Sequence, residues 1–131
     1  MLDDKDCIFC NRSKCKIILS TNYFFVIRDT AYPVTKNHTL IITNRHVSDY
    51  FDLNDKELNE LNIILKTQKK ELANLDDKIT GFNVGVNIGK DAGQSIMHCH
   101  IHLIPRRKGD VEDPRGGVRG VIPSKQKYKR K

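Results

Sequence analysis

Residues 96–105 read Ile96-Met97-His98-Cys99-His100-Ile101-His102-Leu103-Ile104-Pro105, three histidines alternating with apolar side chains. Successive side chains of a strand point to opposite faces, so His98, His100 and His102 share one face. Cys99, Ile101 and Leu103 share the other, an apolar face suited to a core. Alternate histidines on a strand can bind zinc. A neutral imidazole can also attack phosphorus, with a neighbouring histidine as acid or orienting partner. An exposed strand that merely carries histidines is the third reading. The loop just upstream supplies Gly93, Gln94 and Ser95, whose backbone N–H groups and hydroxyl suit phosphate oxygens.

Outward from this strand the pattern is mixed. Residues 81–88 (GFNVGVNI) place Phe82, Val84, Val86 and Ile88 on one face and Asn83, Gly85 and Asn87 on the other, a strand. Residues 23–28 (YFFVIR) and 38–43 (HTLIIT) are aromatic or β-branched and predict two more. Between them, Asp29 to Asn37 is a turn-rich connection broken by Pro33. Asn54 stands three residues before Glu57, a capping-box pattern. Leu58, Leu61, Leu65, Leu72 and Leu75 follow on one helical face, which predicts an amphipathic helix from Asp55 to Leu75. Two strands, a long helix and two strands is an α+β order, and short links favour antiparallel pairing.

With 131 residues the chain fits one domain. No apolar run approaches the ~20 residues that span a bilayer, and the N-terminal stretch lacks the apolar region of a secretory signal. A cytoplasmic setting with reduced thiols or metal-ligating cysteines is therefore expected. The net charge of +7 is confined to one end: residues 1–104 carry 13 basic and 13 acidic side chains, residues 105–131 carry 10 and 3. Cys7-Ile8-Phe9-Cys10 is half of a zinc site, or a pair of buried thiols, or a redox pair. Cys15 is a less favourably spaced rival ligand, and Cys99 reads as a small core hydrophobe.

Taken in order, several segments resemble the histidine triad (HIT) superfamily. They are His98 to Ile104, Asn87-Ile88-Gly89, Ala92-Gly93-Gln94-Ser95, Pro105-Arg106 and the stretch around His38. The likeness is strongest to the bacterial and Fhit-like diadenosine-polyphosphate hydrolase branch. It implies an HIT-like α+β fold, a five-stranded antiparallel sheet with one long helix and a short one, dimerising into a ten-stranded sheet. It implies a domain over residues 1–110 and a basic extension over 111–131. It implies cleavage of a dinucleoside polyphosphate at an α-phosphate through a nucleotidyl-histidine. His100 is the implied nucleophile, His102 meets phosphate and leaving group, and His38 orients the nucleophile. Asn87, Gly93, Gln94, Ser95 and Arg106 fall at phosphate-contacting positions. Asp29 and Thr30 lie near the ribose-contacting position, although the step from Asp29 to His38 is one residue longer than usual. Zinc-bearing members, like the related galactose-1-phosphate uridylyltransferases, imply a structural zinc on Cys7, Cys10, His46 and His98.

A nucleoside phosphoramidate hydrolase would use the same histidine, as would a nucleotidyltransferase or phosphorylase. Against the transferase stands His102, where uridylyltransferases carry glutamine. A nucleotide sensor or nucleic-acid-binding module is supported only by the basic tail. Arg106, Arg107, Arg115 and Arg119 lie in a Gly/Pro-rich segment that could fold over a polyphosphate.

Overall fold

A computed structural model describes residues 6–129. The outermost parts of the expected N-terminal loop (1–5) and basic tail (130–131) lie outside the described residues. The strands are β1 (Ile17–Ser20), β2 (Phe24–Arg28), β3 (Thr39–Thr43), β4 (Ile79–Gly85) and β5 (His100–Arg107), with α1 (Asp55–Leu75) between β3 and β4. They form one sheet in the order β1-β2-β3-β5-β4, and every pairing is antiparallel.

The helix covers Asp55–Leu75 as its pattern predicts, and the capping box is formed. Asn54 Oδ1 accepts from Glu57 N at 2.9 Å, and Glu57 Oε1 accepts from Asn54 N at 3.0 Å. The buried stripe differs from the leucine count, running through Glu57, Leu61, Ile64, Gln68 and Leu72 while Leu75 is exposed. Two polar members hold this stripe through partners on the sheet side. Arg28 Nη1 donates to Gln68 Oε1 at 2.7 Å and Arg45 donates twice to Glu57. Beyond α1, the helical elements among the described residues are 3₁₀ turns.

Each sheet face has its own core. On one side α1 packs Leu61 and Ile64 against Phe24, Val26, Ile41, Cys99 and Ile101. Each such fully buried side chain contributes roughly 1.5–3 kcal/mol. On the other side the N-terminal segment lays Cys7 and Phe9 over Phe25, Leu40 and Ile42.

Three boundaries differ from the sequence pattern. β1 was not expected; it is a four-residue edge strand with alternate residues exposed, too short and polar to stand out. β4 starts earlier and stops at Gly85. β5 begins at His100, because Cys99 N donates to Val47 O rather than to a strand partner. His98 thus precedes the regular strand, yet its ring still lies with that of His100 against Phe9. No helix among the described residues is long and apolar enough to cross a membrane.

Candidate active site and metal centre

β5 carries His100 and His102 onto the face opposite α1, and His38 enters from the residue before β3. The pairing of Leu40 with His102 and of Ile42 with His100 sets this register. Main-chain groups at two positions assign the tautomers of the neutral rings. Val34 N–H donates to His38 Nδ1 at 3.1 Å, so His38 carries its proton on Nε2. That proton points at His102 Nδ1, 2.9 Å away, and His102 is left with its own proton on Nε2. On His100, Nδ1–H donates to the His98 carbonyl at 2.8 Å, which leaves Nε2 as a bare lone pair. The rings of His100 and His102 are 5.2 Å apart. One nitrogen lone pair thus stands beside one N–H donor.

Burial favours the neutral form of all three rings. It lowers the His38 pKa, partly opposed by Asp29. It lowers that of His100, against the opposing hydrogen bond to His98. Burial, with His100 and His38 alongside, pulls His102 down to about 4.

The second cluster lies one residue pair upstream. Cys10 Sγ is 3.1 Å from His46 Nδ1 and 3.5 Å from His98 Nδ1. Cys7 Sγ is 3.4 Å from His98 Nδ1, and the two Nδ1 atoms are 3.2 Å apart. A tetrahedral zinc with bonds of about 2.0 Å to nitrogen and 2.3 Å to sulfur separates its ligands by roughly 3.3–3.8 Å. The four atoms therefore fit one ion, and all lie within 4.8 Å of one another. His98 Nε2–H donates to Thr43 O at 2.7 Å, which turns the Nδ1 lone pair towards the thiols. Such a carbonyl partner on the far nitrogen is what metal-ligating histidines need. Cys15 lies elsewhere, bonded to the carbonyls of Ile8 and Asn11. Burial pushes the Cys99 thiol up to about 12, consistent with a core residue.

The remaining expected residues divide. Asn87 lies beside Gly93, and Ser95 is exposed on the same loop. Asp29 Oδ1 caps a turn by accepting from Ala31 N and Tyr32 N, its Oδ2 lies 3.8 Å from His38 Nδ1, and Thr30 is exposed beside it. Gly93 and Gln94 lie on this loop with bonds of their own. Gly93 N donates to Lys90 O and Gln94 N to Gly89 O, because the loop closes on itself as a 3₁₀ turn with Gly93 left-handed. The Gln94 side chain ties the same loop down through Gly89 N, Ser48 O and Ile96 O. Arg106, at the end of the histidine strand, is tied on both sides. It spends three of its five N–H donors on Asp110 and Asn83, and Asp110, held well below the usual carboxylate range, balances its charge.

The other arginines of this segment also have partners of their own. Arg107 holds Asp76, Thr35 and the Lys36 carbonyl, and Arg115 bonds to Asp113. Arg119 holds the carbonyls of Lys125 and Gln126 and stacks on Tyr128. The 3₁₀ turn Gly117–Val121 lies against β4, and a second turn, Pro123–Lys125, packs on the first; Gly116 makes this possible, since a side chain there would collide with the Gln126 carbonyl. Sequence reasoning missed Phe9, whose ring packs edge-on to both His98 and His100. Its place between the two cysteines was the available signal.

Comparison with known proteins gives a consistent picture. A family model described as HIT domain matches residues 11–109. The nitrilase and fragile histidine triad fusion protein NitFhit of Caenorhabditis elegans is 39% identical over 74% of this chain, and 22% of its own length is matched. AP-4-A phosphorylase of Mycobacterium tuberculosis is 38% identical over 61% of this chain and 41% of its own. The chain thus spans less than half of these two relatives. Among solved structures, a Zn-bound histidine triad family protein from Mycobacterium smegmatis superposes with a TM-score of 0.73, at 28% identity over 82% of this chain and 80% of that one. The diadenosine triphosphate hydrolase of Plasmodium falciparum gives 0.68 at 29% identity, over 76% and 67%.

Proposed function

Since the chain belongs to the HIT domain family, we propose that it hydrolyses dinucleoside polyphosphates of the diadenosine triphosphate or tetraphosphate type through a nucleotidyl-histidine on His100. The observation that carries this reading is the pair of opposed tautomers, a bare Nε2 on His100 beside an N–H on His102. An anionic nucleophile would be repelled by phosphate oxygens; a neutral imidazole is not. The His100 Nε2 lone pair forms the N–P bond while the P–O bond to the departing polyphosphate breaks, and that electron pair leaves with the oxygen. The N–H of His102 stabilises the negative charge that gathers there. Water then adds to phosphorus, the N–P electron pair returns to His100, and a proton is released with the mononucleotide.

Asn87, Ser95 and the loop of Gly93 and Gln94, with Arg106 beyond the strand, are the phosphate contacts in this reading, and Asp29 with Thr30 the ribose contacts. The Cys2His2 cluster holds zinc, which ties the N-terminal segment to the sheet. Residues 1–110 form the working unit and 111–131 an extension. β4 is an edge strand with Val84 48% exposed, which supports a homodimer with a continuous sheet. Among the described residues no disulfide joins Cys7, Cys10, Cys15 or Cys99, which supports a cytoplasmic setting with reduced or metal-ligating cysteines.

A relative named as a phosphorylase makes phosphate an alternative acceptor in the second step. Product analysis on diadenosine tetraphosphate, with and without inorganic phosphate, tests the reading. Adenosine monophosphate and adenosine triphosphate as products in both cases support it. Adenosine diphosphate appearing only with phosphate would make the chain a phosphorylase, and turnover of adenosine phosphoramidate alone would make it a phosphoramidase.

A further inference from the structure

The Cys7–Cys10 knuckle reaches the His100 ring by two routes. Phe9, between the two thiols, is 4% exposed, and its ring stands 5.0 Å from that of His100 at an interplanar angle of 68°. His98 is 1% exposed, with its side chain among Cys7, Cys10 and His46. Its carbonyl accepts the Nδ1–H of His100. One four-residue cluster therefore fixes both a wall of the ring and the acceptor that selects its tautomer. The opposite face of the sheet has a separate core built on α1, in which Cys7 and Phe9 take no part.

We propose that the metal-binding knuckle is a positioning device for His100, in which Phe9 and the His98 carbonyl hold the ring in its Nδ1–H form only while Cys7, Cys10, His46 and His98 are clamped by a divalent metal. The proposal rests on His100 as the nucleophile. Phe9 and His98 are positioning residues here, acting on the reaction through the ring they hold. A loosened ring samples both tautomers, and the fraction with a bare Nε2 aimed at phosphorus falls. Misplacing a reacting group by about an ångström can cost 10²-fold in rate.

Ring-nitrogen NMR on ¹⁵N-histidine-labelled full-length protein tests this without any substrate. Zinc-loaded protein should show His100 in the Nδ1–H tautomer alone. Zinc-stripped protein, and Phe9→Leu with zinc retained, should show mixed tautomers at His100 while the His38–His102 signals stay in place. Single-turnover adenylyl transfer by Phe9→Leu should fall about tenfold, with adenosine monophosphate affinity held within about twofold. Should stripping unfold the chain, zinc-loaded Phe9→Leu decides alone. An unchanged His100 tautomer in that variant overturns the proposal. A tautomer change in a wild-type protein that never forms an adenylyl adduct would instead overturn the proposed function and leave the coupling standing.

Discussion

His38 Nε2 stands 2.9 Å from His102 Nδ1, and a backbone N–H, that of Val34, fixes which of the two carries the shared proton. A main-chain donor cannot reverse its role, so the polarity of the whole relay is set by the turn that precedes β3. His102 presents an N–H outward as a consequence. That direction suits a group that must meet negative oxygen.

Replacing His38 with phenylalanine keeps the bulk and removes the relay. His102 is then free to hold its proton on either nitrogen. The kcat of His38→Phe should fall about 10²-fold, the scale of a positioned acid, while affinity for adenosine monophosphate changes little. A kcat within a factor of about two of wild type would leave the relay without a catalytic part.

The pH dependence follows from the buried rings. All three pKa values lie below the ordinary 6.5, that of His102 at about 4. Between pH 6.5 and those lower values the unfolded chain binds more protons than the folded one, so stability decreases as pH falls through this window. Well above pH 6.5 the rings are neutral in both states, and this contribution no longer varies. The acid limb of kcat/KM should accordingly lie below pH 6.5, with the melting temperature dropping alongside it. An acid limb centred above 6.5 would contradict neutral histidines as the working form.

Much of this was legible in the sequence, for identifiable reasons. The alternation around His100 and the capping box at Asn54 are local signals, and each gave its element directly. Cys7, Cys10, His46 and His98 were assembled only by family likeness, since their spacing spans most of the chain. The bond from Gln94 to Ser48 O spans 46 residues and has no local signal. Asp110 stands four residues from Arg106, but nothing in a basic Gly/Pro-rich segment says whether an arginine faces substrate or its own neighbour. Glu57 and Gln68 are buried on α1 although polar, and nothing local to the helix points to Arg45 and Arg28 as their partners.

For the metal cluster, purified protein should contain about one zinc per chain, and Cys10→Ser should lose it and lower the melting temperature. Elemental analysis together with calorimetry reads both effects. Metal-free protein from chelator-free preparation, equal in stability to Cys10→Ser, would refute the assignment.

Arg45 and Glu57 make a second stability test. Burial pushes the Glu57 carboxyl up, but the Arg45 bonds and the Asn54 N–H outweigh it and hold it below its ordinary value. The stabilisation is therefore present above the ordinary glutamate range and is lost as pH falls through the lower folded pKa. Arg45→Met strands the carboxylate and should cost about 2 kcal/mol, less than a fully buried pair because Arg45 is partly exposed. Adding Glu57→Gln should recover part of that loss. Equal stability of Arg45→Met and wild type in urea unfolding at pH 7 would show that the pair contributes nothing.

The central claim is the covalent bond between His100 and a nucleotide. Protein mixed with diadenosine tetraphosphate, quenched during turnover under conditions that preserve phosphoramidates and digested, should yield a peptide carrying one adenylyl group on His100. His100→Ala should yield none. An adenylyl group on any other residue, or normal turnover by His100→Ala, would contradict the account.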